Sequence, residues 1–404
     1  MGPLHGFKVI DMTSVLMGPV ATLALGDMGA DVIKIEAPGG DLVRQIGPAH
    51  HADMGPIYLH ANRNKRSVCL DLKQGAALDV LKRLLSDADV LAYNVRPQAM
   101  ARLGLGFEVV QNINPRIVYA GLFGFAQEGP YAARPAYDDL IQGGSGLASL
   151  MAQASDGTPR YVPSALVDRV VGITAVNGIL AALLARVRTG RGQRVDVPMF
   201  ETMAHFVLSD HLGGLTFEPR LDEGGYARHL SPHRRPYQTL DGFVCALVYN
   251  DKQWATFLPA VGRAELLADA RFAQFAQRAR HINLVYGELA KIFAQRSTAA
   301  WLALLQEADI PHMAMNDLQG VLNDPHLAAT GFFSVTEHPS EGPVRNMRLA
   351  TRFSDTSPDA ARPAPRLGEH SREVLLSAGY GVADIDALQA QGALVCASES
   401  SRGC

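Results

Sequence analysis

Residues 7–36 read FKVIDMTSVLMGPVATLALGDMGADVIKIE. Phe7 to Met12 reads as a buried strand. Thr13 to Gly18 is a loop, and Pro19, a favoured first-turn residue, opens a helix that Gly29 ends. Asp31 to Glu36 is the next strand. Strand, helix, strand over so short a span is a βαβ unit, which predicts a parallel sheet. The unit lacks the G-x-G-x-x-G fingerprint and is not read as a dinucleotide site.

The pattern continues outward. Ser67 to Leu72, Val90 to Asn94 and Arg116 to Gly121 are further strands, with helices from about Gly75 to Ala88 and after Arg96-Pro97. Alternation at this spacing implies an α/β fold with helices on both faces of the sheet. Ligands then belong beyond the carboxyl ends of the strands. The loops expected there hold Val15-Leu16-Met17, Lys73, Asn94 to Arg96 and Phe123 to Phe125. Residues 124–146 are rich in glycine and aromatic rings, a composition that lets backbone approach a ligand closely. From Arg160 an extended segment runs into Asp168. An apolar helix follows from about Arg169 to Val187, then a turn at Thr189 to Gln193 and a strand at Arg194 to Val197.

Glu201 to Leu215 is a further helix, and Glu218 to Pro236 is irregular. Tyr237 to Leu247 reads as a hairpin turning at Asp241-Gly242. Helical patterns follow at Lys252–Val261, Ile282–Ala294 and Thr298–Ala308, and short strands lie between Gly331 and Arg352. The expected organisation is a large domain over residues 1–215, a linker over 216–236 and a small domain over 237–325. The chain then returns to the large domain over 326–396 and ends in a tail, 397–404.

The totals set bounds. A chain of 404 residues favours two domains. Apolar residues at 48% and charged residues at 19% fit a globular protein. A formal charge of −3 gives no global field to recruit nucleic acid. The start, MGPLHGFKVIDM, has no signal-peptide pattern, and the longest apolar run, near Ile179 to Ala185, is short for a bilayer. Cys69, Cys245, Cys396 and Cys404 form no metal-type pair and suit a reducing compartment. Their spacing and the absence of a signal pattern predict a cytoplasmic protein. Histidines pair only at His50-His51 and His229 with His233, with no third ligand at useful spacing, so no metal is expected.

Three sets of residues invite chemistry. Asp168 at a helix mouth is either an N-cap or a carboxylate kept ionised by the helix dipole and able to attack an activated carbonyl. Arg63, Lys65, Arg66 and Lys73 flank the third strand, and Arg96 and Arg102 follow the fourth. They are either a solvated surface or a phosphate site. Tyr137, Asp138 and Asp139 are either a buried ring with helix-capping acids or part of a site.

Seven stretches in order carry a resemblance: GFKVIDMTSVLMGPVAT, GADVIKIEAPGGDLVR, NRNKRSVCLDLK, ADVLAYNVRP, GFAQEGPYAARPAYDDLIQGGSG, NGILAALLARVRTGRGQRVDV and LGEHSREVLLSAGY. Together they resemble the class III CoA-transferases, which include the formyl-CoA and carnitine CoA-transferases. The resemblance spans nearly the whole chain. It implies a Rossmann-like large domain, a smaller α+β domain and a homodimer whose chains interlock like linked rings. It implies that coenzyme A, as an acyl-CoA, and a carboxylic acid are the substrates, with neither membrane nor nucleic acid as partner.

By position the resemblance makes Asp168 the catalytic nucleophile. It assigns Val15, Leu16, Met17, Leu70, Lys73, Asn94, Val95, Arg96, Ala99 and Arg102 to CoA, and Tyr137 with Asp138 to the thioester neighbourhood. Leu16 and Ala37 replace a glutamine and an arginine of the formyl-CoA type, which argues against formyl-CoA and oxalate as substrates. An acyl-CoA racemase of the same fold is the alternative, although Tyr137 stands where racemases carry a histidine. A non-catalytic acyl-CoA binder is the other.

Overall fold

A computed structural model describes residues 1–356 and 361–397. Residues 398–404 of the expected tail, including Cys404, lie outside these. In chain order the elements that matter are β1 (Lys8–Met12), α1 (Met17–Asp27), β2 (Asp31–Glu36), α2 (Pro56–Asn62) and β3 (Lys65–Leu70). Next come α3 (Gly75–Leu85), β4 (Val90–Tyr93), α4 (Pro97–Arg102), α5 (Phe107–Ile113) and β5 (Val118–Phe123). They are followed by α6 (Asp138–Gly144), α7 (Leu147–Gln153), α8 (Leu166–Thr189) and β6 (Arg194–Pro198).

The described chain divides into two compact units. One comprises residues 1–144, 163–204 and 331 onward, and the other residues 145–162 and 205–330. The first unit holds a seven-stranded sheet in the order β3-β2-β1-β4-β5-β6, with a short edge strand, Leu394–Val395, beside β3. All neighbours among β1 to β6 are parallel, and the edge strand is antiparallel. Alternate residues of β1 face opposite ways, as strand geometry requires. Ile10 and Met12 join a core cluster with Val80, Leu84 and Val110 from α3 and α5. Asp11 turns to the other face, where Thr22 of α1 donates to its Oδ2 at 2.7 Å.

The expected strands all form, with shifted ends. β3 begins at Lys65 and stops at Leu70, and β5 starts at Val118 and runs on to Phe123. α8 begins at Leu166, earlier than the sequence suggested. It is also longer and more apolar than the run at Ile179–Ala185 implied. Among the described residues it is the one helix that could cross a membrane by length and composition. Its packing is that of a core helix: Val171, Ala175 and Ile179 are fully buried, and the helix lies on α1, β5 and β6. Its last turns are anchored by Arg186, which donates to Asp89 at 2.7 Å.

The second unit is α+β. Tyr237–Gln238, Phe243–Ala246 and His312–Ala314 form a small antiparallel sheet, with Asp241-Gly242 in the first turn as expected. Helices Asp251–Ala260, Ile282–Phe293 and Thr298–Glu307 pack Trp254, Phe257, Phe293 and Trp301 into its core. The buried Trp301 indole donates to the Phe293 carbonyl at 2.7 Å, so its one polar atom is satisfied. The stretch read as a linker carries a short helix, Ala227–Leu230. The strands expected between Gly331 and Arg352 are an antiparallel pair, Phe333–His338 with Gly342–Met347, inside the first unit.

Candidate active site

Strand order reverses between β1 and β4, because β1 is followed by β2 on one side and β4 lies on the other. Such a switch point opens a crevice at the carboxyl ends of the strands. Met12 and Tyr93 pair there as the last residues of β1 and β4. The two loops that follow are tied together. Asn94 Oδ1 accepts from the Ser14 N–H at 3.0 Å, and Asn94 Nδ2 donates to the Ser14 carbonyl at 2.8 Å. Both ends of the Asn94 amide are thus spent on backbone.

The β1 loop has an unusual conformation. Val15 has φ of +67°, a left-handed conformation that a β-branched residue rarely adopts. Leu16 occupies the N-cap position of α1 and Met17 begins the helix; both side chains are buried. Val15 is half-buried and packs against Val43, Met54 and Tyr58, so what this loop can present to a ligand is chiefly backbone.

Asp168 lies in the first turn of α8, two residues after its first residue. The N-cap position belongs to Ala165, which has no capping side chain. The cap comes instead from Asp138, at the start of α6, whose Oδ1 accepts from the Asp168 N–H at 3.0 Å. Reading Asp168 as its own helix's cap is therefore wrong, and its carboxylate takes no hydrogen bond among the described residues. Its pKa is pushed up from the usual 3.8 to about 6 by burial first and by the Asp138 charge second, with Arg169 opposing both. The expectation that the helix keeps this group firmly ionised is also corrected: desolvation outweighs the dipole here. At neutral pH about nine-tenths of it is ionised.

Gly172, one turn further along α8, packs against the first residue of α1. A Cβ on Gly172 would lie 2.8 Å from the Met17 carbonyl oxygen. Only glycine lets the two backbones approach so closely. A glycine inside an apolar helix was the sequence signal for this contact.

The basic residues separate by strand end. Lys65 starts β3 and is fully buried, donating to Asp11 Oδ2 and the Pro19 carbonyl, each at 3.0 Å. Arg66 pairs with Asp31 and Glu373, and Arg63 with Asp27. These three belong to the amino edge of the sheet, which corrects their reading as phosphate candidates. Lys73 follows the carboxyl end of β3, Arg96 caps α4 and Arg102 ends it. All three are exposed and form no ion pair among the described residues. Val95 is exposed and Ala99 half-buried on the same turn, whereas Leu70 sits in the core.

Past β5, Phe125 packs edge-on against Tyr131, and both approach Phe200. Arg134 lies over the Tyr131 ring at 4.0 Å. Tyr137 is exposed. Phe123 packs in the core and Met17 is buried, so neither side chain is open to a ligand. Among the described residues no group of three His, Cys, Asp or Glu is placed to hold a metal.

Comparison with known proteins adds the family. The sequence model of CoA-transferase family III matches residues 4–371. Mouse succinyl-CoA:glutarate CoA-transferase is 31% identical, over 93% of this chain and 86% of its own length. Shigella sonnei formyl-CoA:oxalate CoA-transferase is also 31% identical, over 97% and 99%. The crystal structure of a CAIB/BAIF family protein from Brucella suis superposes with a TM-score of 0.78 at 30% identity, covering 93% of this chain and 99% of that one. Relatives of this kind take CoA thioesters and acids as substrates, as a switch-point crevice with unpaired cations allows. The chain belongs to CoA-transferase family III and moves CoA from an acyl-CoA to a carboxylic acid.

Proposed function

We propose that Asp168 is the nucleophile and that the transfer passes through acyl-enzyme anhydrides. One observation carries this reading: a half-buried carboxylate, unpaired among the described residues, stands in the first turn of α8, one helical turn before the glycine that packs on Met17 at the end of the β1 loop. The carboxylate oxygen attacks the thioester carbonyl, the C–S bond breaks, and a mixed anhydride and CoA thiolate result. The thiolate attacks the aspartyl carbonyl, giving an aspartyl-CoA thioester and the free donor acid. The acceptor carboxylate attacks that thioester, releasing thiolate and forming a second anhydride. Thiolate then attacks the acceptor acyl carbon, yielding the new acyl-CoA and free Asp168. Covalent steps of this kind replace a slow direct exchange between a carboxylate and a thioester. Thioester energy is conserved as an anhydride, so no nucleotide is consumed.

Backbone of residues 15–17 and 94–96 frames the CoA, with Lys73, Arg96 and Arg102 as its phosphate partners. Tyr137 and Asp138 flank the thioester. Exchange between succinyl-CoA and a short dicarboxylic acid is the substrate pair we favour, on the strength of the succinyl-CoA:glutarate relative. The acting species is a homodimer of interlocked chains. The outward stripe of α8, with Ile173, Leu184 and Val187 exposed, supplies apolar surface for a second copy. Sedimentation equilibrium of the wild type should give twice the chain mass; a monomer at micromolar concentration would refute this.

The mechanism is tested by mixing the enzyme with succinyl-CoA and hydroxylamine. Mass spectrometry should find hydroxamate at Asp168 and at no other carboxylate. Turnover continuing without any modified Asp168 would refute the covalent route.

A further inference from the structure

The loop between β1 and α1 is held in its strained form by side chains that bond to its backbone. Asp41 is almost fully buried, yet it lies in the turn after β2. Its Oδ1 accepts from the Val15 N–H at 3.0 Å and its Oδ2 from Lys34 Nζ at 3.0 Å. Lys34 Nζ also donates to the Thr13 carbonyl at 2.8 Å. With Asn94 on both polar atoms of Ser14, the peptide groups of Thr13, Ser14 and Val15 are each gripped by a side chain.

The plain role for Asp41 is an N-cap. It does accept from the Val43 N–H, at 3.3 Å, at the start of the turn Leu42–Gln45. That duty accounts for neither Val15 nor Lys34. The Lys34 ammonium has no water to share: its side chain is fully buried, as is that of Asp41. Such a pair is costly to desolvate and is retained where geometry matters. The geometry at stake is Val15 at φ +67°, a conformation that persists only when the surroundings over-determine it.

We propose that Asp41, working with Lys34, is a positioning residue that holds Val15 in its left-handed conformation and so shapes the loop that receives acyl-CoA. The inference rests on the reading of that loop as a CoA contact. It assigns a role in the reaction to a residue of the GGD turn that never meets substrate.

Asp41→Asn tests it, because one amide oxygen cannot serve both Lys34 and the Val15 N–H. The KM for succinyl-CoA should rise about tenfold, ~1.4 kcal/mol of ground-state binding, while kcat falls less than threefold. Adding Val15→Gly to Asp41→Asn should recover at least threefold of that loss, since glycine adopts positive φ without strain. A simple loss of core stability would not be recovered this way. Val15→Pro reaches the same end while leaving the Lys34–Asp41 ion pair in place. Proline cannot adopt positive φ or donate to Asp41, and KM should again rise about tenfold. An unchanged KM in Asp41→Asn or Val15→Pro, or no recovery with glycine, overturns the proposal. Hydrogen exchange of residues 13–17 in the wild type, with and without CoA, isolates the premise. Protection by CoA with an unchanged KM in the variants sinks the positioning role alone. No protection sinks the reading of the loop as well.

Discussion

The two edges of the parallel sheet carry the same residue types, but the carboxyl edge, beside its buried pairs Lys34–Asp41 and Glu36–Arg44, leaves some of its charges without a mate. At the amino edge charges have mates: Arg66 with Asp31 and Glu373, Arg63 with Asp27, Arg186 with Asp89. At the carboxyl edge Lys73, Arg96 and Arg102 have no acid within reach among the described residues, and Asp168 has no cation on its carboxylate. Paired charges are already neutralised and add little when exposed. Unpaired cations beside a crevice can still engage a phosphate with charge-assisted bonds. The contrast separates charge that holds the fold from charge left over for chemistry.

The sharpest break of this contrast is at Asp168. Asp168→Ala should lower kcat by about a thousandfold or more, the scale set by loss of a covalent nucleophile. Its Kd for CoA should stay within about threefold of the wild type, because the carboxylate meets the thioester and not the nucleotide. Single-turnover kinetics with equilibrium binding separates the two effects. Near wild-type turnover would return Asp168 to a structural role.

Why the sequence revealed some of this and not the rest follows from what each signal depends on. The βαβ unit was legible because strands buried along nearly their whole length and a helix-ending Gly29 leave local marks, and each of the six parallel strands appeared within a few residues of its expected ends. The unpaired cations were not separable from the paired ones. Lys65 and Lys73 flank one short strand, but one enters the core on Asp11 and the other faces solvent. That difference depends on where β3 starts, which local pattern leaves uncertain. The cap of α8 was misassigned for a related reason. Asp138 is thirty residues upstream of Asp168, and no local rule joins a cap to a helix across such a distance. The motif GGDLVR drew attention to residues 39–44 through resemblance alone. The grip of Asp41 on Val15 shows only when β1 and β2 are laid side by side.

A middle-sized test exchanges the two edges. Arg96→Ala and Arg102→Ala should each raise the KM for acyl-CoA about fivefold, or roughly 1 kcal/mol for one phosphate contact, and the effect should shrink at high salt. Arg66→Ala, at the amino edge, should leave that KM alone and lower stability by about 1 kcal/mol or less, since its partners are partly exposed. Equal KM effects at both edges would erase the distinction.

The smallest effect concerns the charge facing Asp168. Burial and Asp138 together lift its pKa to about 6, and Arg169 pulls it down. A nucleophile must be ionised, so kcat/KM for the free enzyme should fall as pH drops through about 6. Asp138→Asn removes one negative neighbour and keeps an oxygen to cap the Asp168 N–H. Removing a like charge favours the ionised form, so the acid limb should move to lower pH by up to about one unit. The position of the limb is the readout, because Asp138 also lies near the expected thioester and its loss can change the height of the profile. If the limb stays where it is in the wild type, burial alone sets the pKa, and the carboxylate pair at the carboxyl edge is a cap and nothing more. If it moves, the Asp138 carboxylate that caps the first turn of α8 also keeps the nucleophile of that helix poised near neutrality.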